Sequence, residues 1–358
     1  MSADLIIVLV MATFSVLGGI DRMTGNSLGL GKTFENGILT VGQLMLSMTG
    51  IIVLCPVVAN VLEPVVVPVY RLLGADPAIF AGSLFACDMG GAQLAIQLAG
   101  DRSAGLLGGI IVASMLGVTV SFTIPVAMSV LKQEDRPFAA KGILCGIFTI
   151  PAGILTGGLA AGYPTQMIIR NIIPVILLVV FIALGLWKAE RFLIRVFELF
   201  AKGLILLATI GLVAGGVELT TGILLIPGLG SVEEAFLIVG EIGIVLSGAF
   251  PLMHCVTKLL KKPLAWTGRQ IGVNEQSVSG LVTTLANSIA TFDMIGEMDV
   301  RGKIINMAFC VSGAFVLGDH LAFTAGFAPS MITAMVIGKL SAGILAIVLA
   351  CWVTRKKR

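Results

Sequence analysis

The chain has 358 residues, of which 57% are hydrophobic and 12% are charged, and its mean hydropathy is +1.05. A composition this apolar excludes a water-soluble globular protein, whose surface carries many more charges. The net charge of +3 gives no basis for nucleic-acid binding. We therefore expect an integral membrane protein.

Apolar runs along the chain approach or reach the roughly 17 to 25 residues that cross a hydrocarbon core. The first run, residues 5–20, follows Asp4 rather than a basic segment, and no cleavage site precedes a soluble domain. We therefore expect a retained first span rather than a cleaved signal peptide. The other clear runs are residues 172–186, 204–216 and 332–353. Together they predict an all-α polytopic membrane protein.

The first half of the chain, residues 1–163, is predicted to form one membrane repeat. Within it, residues 77–98 contain Asp88 and two nearby glycines at their centre, with Gln93 one turn further on. Non-helical backbone at membrane depth is tolerated only where it is buried in protein or lines a cavity. We therefore predict a re-entrant hairpin with Asp88 at its tip. Residues 56–73 are interpreted as a surface or amphipathic connector.

Residues 164–198 form a predicted linker with one transmembrane helix, and residues 199–358 form a second repeat. Cytoplasmic loops are enriched in Lys and Arg, and this half has basic clusters at 188–202, 258–269 and 355–358. The pattern predicts a cytoplasmic C-terminus. Three full crossings between residues 277 and 353 would place the C-terminus outside the cell. One of the three apolar segments there is therefore predicted to return to the side from which it entered. The shortest and most polar, residues 277–292 with Asn287 at its centre, is the predicted second hairpin.

The two halves resemble each other at a constant offset of 198 residues. The aligned pairs are Gly18 and Gly216, Gly42 and Gly240, Gly50 and Gly248, Arg71 and Arg269, Gly74 and Gly272, Gly82 and Gly280, and Asp101 and Asp299. Charge placement gives the halves opposite orientations, so we predict an inverted-topology internal repeat with about nine to eleven transmembrane segments. The tryptophans Trp187, Trp266 and Trp352 would then lie at the cytoplasmic interface.

Carboxylates inside the predicted spans are the first candidates for a functional site, because each costs roughly 2.5 to 3.5 kcal/mol at the membrane centre. Glu241 and Asp319 are predicted to lie at similar depth in the outer part of the membrane. Asp88 lies at the first hairpin tip, and Asp293 lies where the second hairpin ends. Such groups attract a cation. The alternatives are a helix cap for Asp88 and a static network of Asp319 and Glu241 with His320 or hydroxyl groups.

Neutral polar side chains at the same depth are candidates for binding the uncharged part of a solute. Gln93, Asn287 and Thr291 carry amide or hydroxyl groups suited to hydrogen bonding an alcohol. A structural turn is the alternative for Asn287, since asparagine is a favoured turn residue. The predicted substrate-binding set is therefore Asp88, Gln93, Glu241, Asn287, Thr291, Asp293 and Asp319.

Three segments give the chain a family likeness: residues 248–255 (GAFPLMHC), 290–299 (ATFDMIGEMD) and 318–327 (GDHLAFTAGF). They resemble the ethanolamine permeases of bacterial ethanolamine-utilisation operons, and the likeness covers essentially the whole chain. The resemblance implies a multi-pass protein of the bacterial cytoplasmic membrane that facilitates entry of ethanolamine. The ethanolamine would then be broken down inside a microcompartment. Protonated ethanolamine would need a carboxylate for its ammonium group and an amide or hydroxyl for its alcohol.

Other functions remain open at the level of the sequence. One alternative is a carrier of another small polar solute, and another is a membrane receptor or scaffold of the utilisation system. We predict no enzyme, catalytic residue, cofactor or metal, because no GxGD, HExxH, nucleophile-elbow or phosphate-loop motif is present. The six cysteines lie in or beside apolar runs without metal-ligand spacing. Expected partners are ethanolamine and membrane lipid, and a homo-oligomer is left open.

Overall fold

The computed structural model describes residues 2–355, apart from the side chains of residues 260–262 and 264–269. Every regular element in this part of the chain is helical. The side chains of Lys261, Lys262 and Arg269 and the residues after Arg355, all used to predict topology, lie outside the described part of the chain, as does the side chain of Trp266. The helices are α1 (Ala3–Met23), α2 (Leu30–Leu72), α3 (Ala78–Leu84), α4 (Ala92–Leu98), α5 (Arg102–Val130), α6 (Arg136–Ala160), α7 (Thr165–Lys188), α8 (Glu190–Thr221), α9 (Val232–Ile271), α10 (Glu275–Ala286), α11 (Ser288–Met294), α12 (Val300–Gly313), α13 (Asp319–Phe327) and α14 (Ile332–Val353).

Eight helical segments of the described chain are long and apolar enough to cross a membrane. They are α1, α2, α5, α6, α7, α8, the part of α9 up to Leu259, and α14 with the short turn before it. Many large apolar side chains on them are exposed, including Val61, Leu199 and Ile344. An apolar surface of this extent suits lipid rather than water. The chain is therefore an all-helical polytopic membrane protein.

The predicted connector at residues 56–73 is helical, and so is its counterpart in the second half, residues 258–271, which was also interpreted as a connector. Residues 56–72 continue α2, which includes three prolines, Pro56, Pro64 and Pro68, and residues 258–271 continue α9. A π-helical segment, Met45–Thr49, joins the two parts of α2. Both segments therefore extend the helix before them. Their prolines and charges did not indicate this continuity.

Helix α5 lies at the centre of the molecule. Its residues Leu107–Gly117 are all buried and form a π-helix, the wider helical turn in which each backbone N–H bonds five residues back. Helices α3, α4, α6, α12 and α14 pack around it. Outlying helices such as α1 and α8 bury a much smaller share of their surface. The core of the fold is therefore built around one apolar helix rather than between two equal layers.

Three breaks interrupt the helices near this centre. The first, at residues 85–91, separates α3 from α4, and the second, at Asn287, separates α10 from α11. The members of each pair pack against each other. Asp88 and Asn287, the predicted hairpin tips, thus lie at helix breaks.

The third break, at residues 314–318, was not predicted. We expected Asp319 about fifteen residues into a continuous span, but the helix stops at Gly313 and a separate short helix starts at Asp319. Neither α12 nor α13 is long enough to count among the eight membrane-length segments. The segment that contains Asp319 is therefore not the continuous span that was predicted.

Candidate functional site

The first break holds Asp88 in a tight turn next to α5. The backbone is extended at Phe85 and Ala86, and the Ala86 carbonyl then accepts hydrogen bonds from the N–H groups of Met89 and Gly91. Gly90 has a φ of +83°, and a Cβ atom there would collide with the Ile51 side chain. Only glycine fits both conditions without strain. The turn therefore fixes the direction in which Asp88 leaves the backbone.

The third break is held by hydrogen bonds to the end of α10. The N–H of Phe315 donates to the carbonyl of Thr284 at 3.1 Å, and the N–H of Leu317 donates to the carbonyl of Leu285 at 2.9 Å. These carbonyls belong to the last turn of a helix and have no partner inside it. Gly318 lies so close to the Ala286 carbonyl that a side chain would collide with it. Asp319 therefore starts α13 at a position set by α10.

The first and third breaks meet inside the protein. Ala86, Val118, Ala314 and Phe315 form one buried cluster, and the rings of Phe122 and Phe315 are 5.6 Å apart at their centroids. His320, which follows Asp319, lies with its Nε2 atom 3.9 Å from Asp88 Oδ1, and its ring centroid is 5.2 Å from that of Phe315. Asp319 is also close enough to Asp88 for their charges to interact. The breaks thus bring two carboxylates and one imidazole together.

Lys339 supplies a positive charge to the same cluster. It is completely buried in the middle of α14 and donates a hydrogen bond to the Ser114 carbonyl on the π-helical part of α5. Its ammonium group interacts electrostatically with Asp88 and with Cys87. A lysine buried in the membrane interior is expensive unless a negative charge faces it. Asp88 therefore acts as a counter-ion for Lys339.

The charges of the cluster do not balance. Asp88 and Asp319 carry two negative charges when ionised, whereas Lys339 carries one positive charge and His320 is uncharged in its neutral form. About 19% of the Asp88 side chain is exposed, and Asp319 is also only partly buried. Both carboxylates thus keep part of their surface uncovered by the protein. An added monovalent cation would neutralise the site.

Buried polar atoms without a partner lie in the same part of the fold. Nδ1 of His320 and both amide atoms of Gln93 make no hydrogen bond to any residue between 2 and 355. A buried polar atom without a partner costs roughly 1 to 3 kcal/mol. Such atoms are suited to binding a polar solute or water.

The cluster also has the composition of a metal site. A Cys87 sulfur, an Asp88 oxygen and a His320 nitrogen all lie within 4.8 Å of one another. Soft divalent ions accept these ligands. The neighbouring Lys339 ammonium opposes any cation there, and the single excess negative charge of the ionised cluster matches a cation of single charge.

The structure brings two of the predicted site residues together and places others elsewhere. Asp88 and Asp319 meet, although the sequence paired Asp319 with Glu241. Glu241 is exposed on α9, and it is the next residue, Ile242, that packs against Gly326 of α13. None of the contacts described for residues 2–355 joins Glu241 to the cluster.

The predicted residues of the second hairpin have local partners. The side chain of Asn287 is exposed and accepts a hydrogen bond from the Ile289 N–H at 2.8 Å, which caps α11. The Thr291 hydroxyl is buried and bonded to the Thr284 hydroxyl and the Gly280 carbonyl. Asp293 is exposed. These contacts match the structural-turn alternative for Asn287 and leave Thr291 no free hydrogen-bonding proton.

Sequence reasoning assigned no role to Lys339, Cys87 or Phe315. Lys339 could have been found, because it is the only charged residue in the apolar run 332–353. His320 was considered only as part of a static network. The position of Phe315 depends on the third break, for which the sequence has no clear signal.

Eight membrane-length helices around a buried, charged and partly accessible cluster define a polytopic membrane protein with an interior polar site. The profile of the family described as "Ethanolamine utilisation protein, EutH" matches residues 3–353. The chain belongs to this family.

Curated relatives match almost the whole chain. The chain is 50% identical over 356 residues to the "Probable ethanolamine permease EutH" of Listeria monocytogenes, covering 99% of this chain and 95% of that protein. It is 46% identical to the "Uncharacterized protein YxeR" of Bacillus subtilis, with 97% and 94% coverage. It is 42% identical to the "Probable ethanolamine permease EutH" of Salmonella typhimurium, with 99% and 97% coverage. No solved structure matches the chain.

Proposed function

We propose that this protein transports ethanolamine across the bacterial cytoplasmic membrane, and that the cluster of Asp88, Asp319, His320 and Lys339 is its substrate site. The observation that carries the proposal is the placement of Asp88 and His320, 3.9 Å apart, in one interior cluster with Asp319 and the buried Lys339. Three relatives at 42 to 50% identity carry the name "Probable ethanolamine permease EutH", which supports ethanolamine as the substrate.

Ethanolamine suits this cluster in charge and in hydrogen-bonding groups. Its amine is protonated at neutral pH, as expected for an alkyl amine, so the ammonium group would lie between the Asp88 and Asp319 carboxylates. The hydroxyl group would bond to a ring nitrogen of His320, one of whose nitrogens has no partner in the described structure. The charge-assisted bonds between the ammonium group and the two carboxylates are stronger than neutral ones. The site would thus select small solutes with one positive charge and one hydroxyl.

The other predicted residues take secondary places in this proposal. Gln93 has two free amide atoms and is suited to bind the hydroxyl in a second position of the solute. Asn287 and Asp293 are exposed and would meet the solute only on its way to or from the cluster. Glu241 would have to act at a separate point on α9. Thr291 would support the turn rather than bind the solute.

The movement that we propose uses the predicted inverted repeat. The two halves, 1–163 and 199–358, would move relative to each other around the breaks at Asp88 and Asn287, which would serve as re-entrant hairpins. The site would then open alternately to each side, with the C-terminus in the cytoplasm. Facilitated diffusion through the same site is the simpler mode, and association into homo-oligomers is compatible with both.

Uptake of labelled ethanolamine into proteoliposomes containing only this protein tests the proposal. We expect saturable uptake for the wild type and at least about a tenfold loss for Asp88→Asn and for Asp319→Asn, since each removes a charge that the ammonium needs. Glu63→Gln, which removes an exposed carboxylate of α2, is the matched control and should transport normally.

The same assay separates the remaining alternatives. Glu241→Gln tests the other acid predicted from sequence, and a loss restricted to this variant would move the site to α9. Preferential uptake of a different small amino alcohol would support a carrier function with a substrate other than ethanolamine. Uptake no greater than in empty liposomes would contradict transport and favour a receptor.

A further inference from the structure

A second site lies far from the cluster, at one end of the molecule. Here the start of α6, the start of α12 and the end of α14 enclose a cavity of about 1370 Å³. Val353 lines it and lies fourteen residues beyond Lys339, which corresponds to about 21 Å along the helix axis. The cavity is therefore separate from the proposed transport site.

Three cationic side chains line this cavity: Lys141, Arg301 and Arg355. Within residues 2–355, none of them forms an ion pair with a carboxylate. The nearby Lys303, by contrast, is paired with Asp135. The Nε atom of Arg301 is buried and has no hydrogen-bond partner there. The cavity therefore presents uncompensated positive charge, part of it removed from solvent.

The one acid in the lining is already engaged. Asp299 accepts hydrogen bonds from the N–H of Asn274 and the hydroxyl of Ser277, both at 2.9 Å, and from the N–H of Gly302 at 3.2 Å. It caps the N-terminus of α12, where a negative charge is stabilised by the helix dipole. Its carboxylate is therefore used within the protein, and the three cations are left for an external anion.

The walls of the cavity are largely apolar. Phe138, Val300, Ile304 and Val353 line it beside the cations. Trp352, whose side chain is 71% exposed, is next to it at the end of α14. Tryptophans at the ends of spanning helices are typical of the membrane interface. A free phosphate needs no apolar wall, whereas a phospholipid needs both a cationic and an apolar surface at this depth.

We propose that this cavity binds an anionic phospholipid, with the headgroup phosphate held by Lys141, Arg301 and Arg355. The acyl chains extend along the wall formed by Phe138, Val300 and Val353. Guanidinium groups are well suited to the headgroup because they bond two phosphate oxygens at once. Basic pockets between helices at an interface bind anionic headgroups by this chemistry. The site is independent of the transport proposal.

Native mass spectrometry of the full-length protein tests the site, with phosphatidylglycerol and phosphatidylcholine added in equal amounts. We expect the wild type to retain phosphatidylglycerol preferentially. The double variant Lys141→Gln/Arg301→Gln should bind it about 30-fold more weakly, since each cation near the surface contributes about a factor of five. The control Arg195→Gln/Lys202→Gln removes the same charges from the exposed surface of α8 and should bind as the wild type does.

Two further measurements distinguish loss of the lipid site from misfolding of the double variant, and lipid binding from binding of a free anion. Val300→Trp keeps all three cations and places a bulky ring on the wall proposed for the acyl chains, from an exposed position, and it should also weaken lipid binding. Glycerol phosphate should not displace phosphatidylglycerol. Equal retention of both lipids by the wild type, equal losses in both double variants, or displacement by glycerol phosphate would each overturn the proposal.

Discussion

At the scale of single residues, the notable feature is a lysine buried among carboxylates in the middle of a membrane helix. Lys339 has no exposed surface, and its ammonium group bonds the Ser114 carbonyl and faces Asp88. It therefore neutralises part of the negative charge that would otherwise hold a bound cation too strongly. In the proposed transport cycle, Lys339 competes with the ammonium group of the solute for the same carboxylates.

The substitution Lys339→Gln tests this competition. Removing the positive charge leaves two carboxylates for the ammonium group, so we expect a KM for ethanolamine about tenfold lower, and a lower maximal rate because release is slower. Uptake kinetics in proteoliposomes measure both quantities. Lys188→Gln, which removes an exposed charge beside Trp187, is the control. An increase in KM with unchanged maximal rate would contradict the competition.

At the scale of elements, the three breaks show how much of the site the sequence reveals. Asp88 was predicted as a hairpin tip because it and two glycines interrupt an apolar run, and Asn287 because its segment is the shortest and most polar of three; helix breaks lie at both. Whether these segments return to the side that they entered from stays a prediction. The third break is different, because residues 314–317 are apolar and contain no proline.

Partners distant in the sequence produce the third break. The carbonyls at the end of α10 bind Phe315 and Leu317, and no local propensity encodes this pairing. For this reason the sequence analysis paired Asp319 with Glu241: it estimated the membrane depth of each residue by assuming a continuous span. The carboxylates of a site can be identified from sequence because placing them in lipid costs free energy. Which residues they contact depends on where the helices break, and this was not evident from the sequence.

The first break supplies a stability test. Gly90→Ala places a side chain at a φ of +83° and against Ile51, so we expect a loss of at least about 1 kcal/mol of stability and a lower melting temperature in detergent. Gly42→Ala is the control, because Gly42 is exposed, helical and has open space around its Cα. Ile51→Ala should restore only part of the loss, since it relieves the collision but not the backbone strain. Equal melting temperatures for both glycine variants would contradict the role of the turn.

At the scale of the whole molecule, the eight membrane-length helices agree with the multi-pass architecture predicted from composition. The sequence-based division at residues 163 and 199, the opposite orientation of the halves and the number of crossings remain predictions. They rest on the placement of basic residues, some of which lie outside the described part of the chain.

Reporter fusions test the orientation. Green fluorescent protein fused after residue 358 should fluoresce, and alkaline phosphatase inserted at residue 226, in the loop between α8 and α9, should be active. The reason is that the C-terminal tail is basic whereas this loop carries no Lys or Arg. Exchanging the two reporters is the control and should give inactive proteins. Fluorescence from the loop position would reverse the predicted topology.

The position of α5 has a consequence for biogenesis. The helix at the centre of the fold is made early, but the helices that cover it include α12 and α14, near the end of the chain. The bond between Ser114 and Lys339 joins residues 225 positions apart. The centre of the protein therefore closes only after the ribosome has completed almost the entire chain, and a nascent chain stalled before α14 is left with its innermost helix exposed to lipid and to membrane quality control.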